Sequence, residues 1–124
     1  SGGAGRDTLY GGSGADWLIG GEGADVFLFK RISDFGASAK KKEAIADFSH
    51  HQGDVIHLSA IDADSRSAGN QAFDFIGGRR FSGDAGELRF ADGQLQGDVN
   101  GDGRADFVLE ISDVSRLTAS DFVL

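Results

Sequence analysis

The chain has 124 residues, enough for one small domain, and carries 12 Lys and Arg against 20 Asp and Glu, a net charge of −8. That field repels a phosphate backbone, so nucleic acid is excluded as a partner, and the absence of cysteine removes disulfides, thiolate metal sites and thiol nucleophiles together. No apolar run reaches the about 18 residues of a membrane span, and with Ser1 at its start and no Met anywhere the sequence is expected to be a processed piece with an upstream domain.

Nine of the 20 glycines fall in the first 23 residues, and there is no proline. Three gapless nonapeptides account for this bias: GGAGRDTLY at 2–10, GGSGADWLI at 11–19 and GGEGADVFL at 20–28, all fitting G-G-x-G-x-D-x-U-x with U as Leu9, Leu18 and Phe27. Glycine at the first, second and fourth positions permits positive φ and removes side chains, so carbonyl oxygens can converge. Asp7, Asp16 and Asp25 add a carboxylate at a fixed offset. Carbonyls with carboxylates are the donor set of a hard cation such as Ca²⁺. Nine residues make half of a coil, so repeats n and n+2 lie on one side and can share an ion. A flexible glycine linker needs no aspartates in phase with three apolar residues, and the phosphate-cradling glycine patterns are absent.

Further along the chain, Asp25–Phe29 reads as a last strand leaving the roll and 33–43 as a polar loop. Residues 44–48 and 54–58 suggest a strand pair around Gly53. Phe73, Phe75 and Ile76 begin another strand, and Leu88–Phe90 and Gln94–Gln96 flank an Asp92-Gly93 hairpin turn. Phe107, Leu109 and Ile111 alternate as a half-buried strand, and 113–121 has room for a short helical turn capped by Thr118 or Ser120. The expected fold is all-β: a short parallel β-roll over 1–29, capped by an antiparallel sheet or sandwich over 30–124, the two forming one continuous domain. The cap removes an open edge that would invite association. Tyr10, Trp17 and Ile19 point outward and are expected to be partly covered by later strands.

The loop Asp98-Val-Asn-Gly-Asp-Gly-Arg-Ala-Asp106 begins like an EF-hand loop but has Leu109 where the bidentate Glu belongs. Two readings stay open: an Asx-rich turn, or a weak calcium site using Asp98, Asn100, Asp102, the Arg104 carbonyl and Asp106. His50, His51 and His57 show no metal-ligand spacing and read as loop histidines. Lys40–Lys42 reads as a solvated loop. No catalytic constellation emerges, so this chain is expected not to be an enzyme, although its full-length parent would be one.

Beyond the nonapeptides, the segments IADFSHHQGDVIHLSAIDA (45–63), GNQAFDFIG (69–77), FSGDAGELRF (81–90), LQGDVNGDGRADF (95–107) and LTASDFVL (117–124) give the chain a resemblance to the RTX (repeats-in-toxin) proteins, most closely to the C-terminal region of serralysin-type secreted metallopeptidases. Glu43, where the family usually has Asp, His57, Lys40–Lys42 and His50-His51 depart from that pattern. The resemblance implies one ion held by the Gly3 and Gly5 carbonyls with Asp7, and by the Gly20 and Glu22 carbonyls with Asp25. On the other side, Gly12, Gly14 and Asp16 lack a fourth nonapeptide, and Asp47, helped by Glu43, is the expected partner. Gly11, Ser13 and Asp16 would share a further ion with a repeat preceding Ser1. The resemblance further implies a secreted, extracellular protein exported by type I secretion machinery, folding outside on calcium, with Asp121-Phe122-Val123-Leu124 as the export tail. The alternative is a calcium-dependent polysaccharide or surface-adhesion module.

Overall fold

The computed structural model describes residues 2–12, 16–35, 43–64, 69, 71–112, 114 and 116–124. Among these residues the chain is all-β, with two short 3-10 turns. Its strands are β1 (Thr8–Leu9), β2 (Trp17–Leu18), β3 (Val26–Leu28), β4 (Glu43–Ile45), β5 (Val55–His57), β6 (Asp74–Phe75), β7 (Glu87–Ala91), β8 (Gln94–Asp98), β9 (Phe107–Ile111) and β10 (Phe122–Val123).

Each nonapeptide is too short to do more than turn and present one apolar side chain, and Leu9, Leu18 and Phe27 are all buried. From β1 to β6, successive strands alternate between two sheets. One sheet runs β1-β3-β5-β10 with every pairing parallel, and the other runs β2-β4-β9-β8-β7-β6. In the second sheet β2, β4 and β9 pair parallel, β7, β8 and β9 form an antiparallel meander, and β6 joins β7 in parallel. The expected antiparallel cap is thus not a separate layer: the meander extends the sheet that β2 and β4 begin. The expected pairing of 44–48 with 54–58 is also corrected, because β4 and β5 lie in different sheets. Nor does β3 leave the stack, since it lies between β1 and β5.

One apolar cluster fills the space between the sheets, with Phe27, Phe29, Ile45, Ile56, Leu58, Leu88, Leu95 and Leu109 fully buried. Phe35 stacks on Phe29 at 4.6 Å and on Phe107 at 4.1 Å between ring centroids. It enters from the Ile32–Phe35 3-10 turn, where a loop was expected. Buried Asp34 holds this turn by accepting from the Lys30 and Arg31 N–H groups. The rest of that loop, Gly36–Lys42, lies outside the described residues. At the far end Phe75 of β6 meets Phe122 of β10 at 4.9 Å, so the outer strands of the two sheets close on each other. The Asp92-Gly93 turn forms as expected, with φ of 52° and 75°, and the Ala119–Asp121 3-10 turn follows Thr118. Trp17 remains 63% exposed and Tyr10 and Ile19 are exposed as well, so the expected cover by later strands is not found. Lys30 lies over the Tyr10 ring instead, 4.9 Å from its centroid.

Candidate metal centre

The parallel register places Asp7, Asp25 and Asp54 one above another, each immediately before its strand, because Thr8 pairs with Val26 and Val26 with Val55. Three turns stack with them. Glu22 N–H donates to Gly3 O at 3.0 Å, and Gly5 N–H donates to Glu22 O at 2.7 Å. Gly21 and Gly23, at φ of 94° and 118°, lie so close under the Gly3 and Gly5 carbonyls that neither has room for a Cβ. This is the positional reason for glycine at those two places.

The aspartates are linked through the backbone of the preceding turn. Asp7 N–H donates to Asp25 Oδ1 at 2.9 Å, and Asp25 N–H donates to Asp54 Oδ1 at 2.9 Å. The second oxygens of Asp7 and Asp25 are buried and have no hydrogen-bond partner. A Cβ on Gly2 would lie 2.8 Å from Asp7 Oδ2 and 2.7 Å from Gly20 O, so both oxygens border one small cradle that the glycine leaves open. Orphaned carboxylate oxygens are costly in a protein interior. Beside Gly2 the Asp7 oxygen and the Gly20 carbonyl form a donor set of oxygen alone, which fits a hard divalent cation. Of the residues expected at this ion, Gly3, Gly5, Asp7, Gly20, Glu22 and Asp25 are brought together on one side of the coil.

The third turn of the same side has no glycine repeat, and side chains replace its backbone acceptors. Asp47 takes the Gly20 and Gly21 N–H groups at 2.8 and 2.7 Å, Gln52 Oε1 takes Gly23 N–H at 2.5 Å, and Asp54 Oδ2 takes Ser49 N–H at 2.9 Å. The expected grouping of Asp47 with Gly12, Gly14 and Asp16 is therefore not the one found, since Asp47 caps the turn of the third repeat. Asp16 is in register with Glu43, because Trp17 pairs with Ala44. Gly12 has the positive φ expected of it, 81°, and Gly14 and Ser13 lie outside the described residues.

Asp54 was not among the expected ligands. Its spacing of 29 residues from Asp25 breaks the repeat, and only β5 pairing with β3 brings it into the stack. A signal was present in the sequence: Asp54 directly precedes a β-branched strand, as Asp25 does. Burial pushes the Asp54 carboxyl up from its ordinary value, its two backbone hydrogen bonds oppose this, and the charges of Asp25 and Asp47 add to the rise.

The 98–106 loop forms a separate acidic cluster. Buried Asp98 accepts from Gly101 and Gly103 N–H at 2.8 and 2.9 Å, and Asp106 accepts from Val99 N–H at 2.7 Å. Asn100 and Asp102 accept from Asp102 and Arg104 N–H. These are the bonds of an Asx-turn, yet Asp98, Asp102 and Asp106 each also bring a carboxylate oxygen within 4.8 Å of the others. The geometry accommodates both readings of this loop. Among the histidines, His51 is exposed, His57 lies 3.3 Å from the Ser59 hydroxyl, and His50 bonds to Asp121.

Residues 1–28 match the RTX calcium-binding nonapeptide repeat (4 copies). RTX nonapeptide repeats bind calcium ions, and the cradle beside Gly2 lies within the matched residues. The RTX match ends where β3 ends, so Asp47, Asp54 and the 98–106 loop lie beyond it. No curated protein matches the chain. No helix among the described residues is long and apolar enough to cross a membrane.

Proposed function

We propose that this chain is a non-catalytic calcium-binding module of a secreted bacterial protein, a hydrolase of serralysin type, whose repeats form coils of a β-roll. The observation that carries the calcium reading is the pair of orphaned oxygens on Asp7 and Asp25, that of Asp7 beside the Gly20 carbonyl. One ion belongs between the turns of repeats one and three. Asp47 and Asp54 close that stack as acceptors for the Gly20, Gly21, Asp25 and Ser49 N–H groups. The 98–106 loop, with Asp98, Asn100, Asp102, the Arg104 carbonyl and Asp106, is a second and weaker candidate. Folding outside the cell on calcium and a type I export signal in the last residues complete the proposal.

Calcium titration by calorimetry tests it. Asp7→Ala is expected to remove one ion. Gly2→Ala, which leaves the charge unchanged but places a methyl against Asp7 Oδ2 and Gly20 O, is expected to weaken the same ion. Unchanged stoichiometry and affinity in both variants would sink the assignment. Export is tested separately, by comparing a passenger fused to 1–124 with one fused to 1–120 in a cell carrying a type I exporter.

A further inference from the structure

The peptides in the turn of repeat three share one direction. Leu18 of β2 pairs with Ile45 of β4, so two residues further on Asp47 meets Gly20. Consecutive amides take both of its oxygens: Gly20 N–H donates to Oδ1 at 2.8 Å and Gly21 N–H to Oδ2 at 2.7 Å. In a planar trans peptide the N–H and C=O point in opposite directions. The Gly21 N–H that faces Asp47 therefore turns the carbonyl of the same peptide, Gly20 O, away from Asp47 and towards the turn of repeat one. There a Cβ on Gly2 would lie 2.7 Å from Gly20 O and 2.8 Å from the orphaned Asp7 Oδ2. The neighbouring peptides follow the same rule. Gly20 N–H donates to Asp47 while Ile19 O accepts from Gly2 N–H at 2.9 Å, and Gly23 N–H donates to Gln52 while Glu22 O accepts from Gly5 N–H at 2.7 Å. Ile19 O and Glu22 O are thus also held from the side of repeat one, whereas Gly20 O faces a carboxylate, a second acceptor.

We propose that Asp47 is a positioning residue for the calcium ion between repeats one and three, locking the Gly20–Gly21 peptide with its carbonyl aimed at the ion. This rests on the calcium reading of those two turns. A lock is needed because both residues are glycine, and Gly21, at φ of 94°, has no side chain to oppose turning the peptide over. The turned peptide would present Gly21 N–H to Asp7 Oδ2, satisfying the orphaned oxygen and placing a donor where a cation needs an acceptor. Asp47 opposes this, because turning the peptide strips Oδ2 of a charge-assisted hydrogen bond while Oδ1 stays anchored on Gly20. With both oxygens engaged, Asp47 acts through the peptide and not as a ligand.

The test uses the full chain and compares Asp47→Ala, which removes both acceptors, with Asp47→Asn, which removes the charge as completely but keeps one acceptor oxygen. Calorimetry reads calcium stoichiometry and affinity, and urea midpoints are taken in calcium and in chelator. In Asp47→Ala the stoichiometry is expected to hold and the affinity of one site to fall about ten-fold, the worth of one hydrogen bond to a charged group. Asp47→Asn should lie between Asp47→Ala and wild type. The urea midpoint of Asp47→Ala should fall further in calcium than in chelator, since lost affinity adds to any lost stability. Amide exchange in the β7–β9 meander verifies that each variant is folded, and Asp47→Asn carries the test if Asp47→Ala is not. Wild-type affinity in Asp47→Ala overturns the lock. So do equal affinities in the two variants, which would make Asp47 a nearby charge, and equal falls of the midpoint with and without calcium, which would make its role one of stability. Failure of the underlying calcium reading looks different: Asp7→Ala would then leave calcium stoichiometry unchanged.

Discussion

Asp54 is 3% exposed and gives both carboxylate oxygens to backbone N–H groups, yet its pKa is raised, because burial and the neighbouring charges of Asp25 and Asp47 outweigh those bonds. The folded, ion-free protein therefore holds this proton more tightly than the unfolded chain does. Its stability is expected to rise as pH falls from the raised value towards the ordinary 3.8, and the penalty is fully present above the raised value. Urea midpoints in chelator, compared with those of Asp54→Asn, isolate the effect. The wild-type midpoint should gain on the variant as pH is lowered, and a constant difference would contradict the assignment. At this scale the stacking of Asp7 on Asp25 was legible from their spacing alone, because an exact repeat fixes turn and offset together. Asp54 and Asp47 were less so, because their turn reaches the same stack with side-chain acceptors and no repeat.

Among the elements, the outcome divides by range. The Asp92-Gly93 hairpin and the alternation of Phe107, Leu109 and Ile111 are local signals, and both formed as read. The expected pairing of 44–48 with 54–58 failed, because adjacency in sequence suggests a hairpin whereas a two-sheet coil sends consecutive strands to opposite sheets. The Ile32–Phe35 turn was also missed: its purpose is to insert Phe35 between Phe29 and Phe107, a contact between residues far apart in the chain. Phe35→Ala is expected to cost about 3–5 kcal/mol, the usual range for a buried phenylalanine. The loss should appear in urea unfolding both with and without calcium, since the contact lies in the core away from the aspartate turns. A variant whose destabilisation disappears in calcium would show instead that Phe35 supports the ion sites.

Over the whole molecule, stability is unevenly distributed. The strands of the first coil, β1 and β2, have only two residues each and lie at the edges of their sheets. Strands that short hold little by backbone pairing alone. Along this side Asp7, Asp25 and Asp54 stack at the spacing of neighbouring strands, about 4.8 Å, as like charges in a chain whose net charge is −8. The meander is built differently, from strands of five residues whose Leu88, Leu95 and Leu109 are fully buried. Calcium bound only by the folded form contributes about 1.4 kcal/mol per site at tenfold excess over its Kd, and for the first coil that is the interaction that offsets the repulsion. Removal of calcium is therefore expected to unfold the chain from its first coil. Amide exchange in chelator should be fast over 2–12 and 16–28 and slower over 87–98 and 107–111, and millimolar calcium should restore protection to the first group. Circular dichroism would show a partial loss of β-structure in the same transition. Equal exchange in the two regions, unaffected by calcium, would mean that the apolar core alone supports the stacked turns and that the ion is bound to a fold already complete.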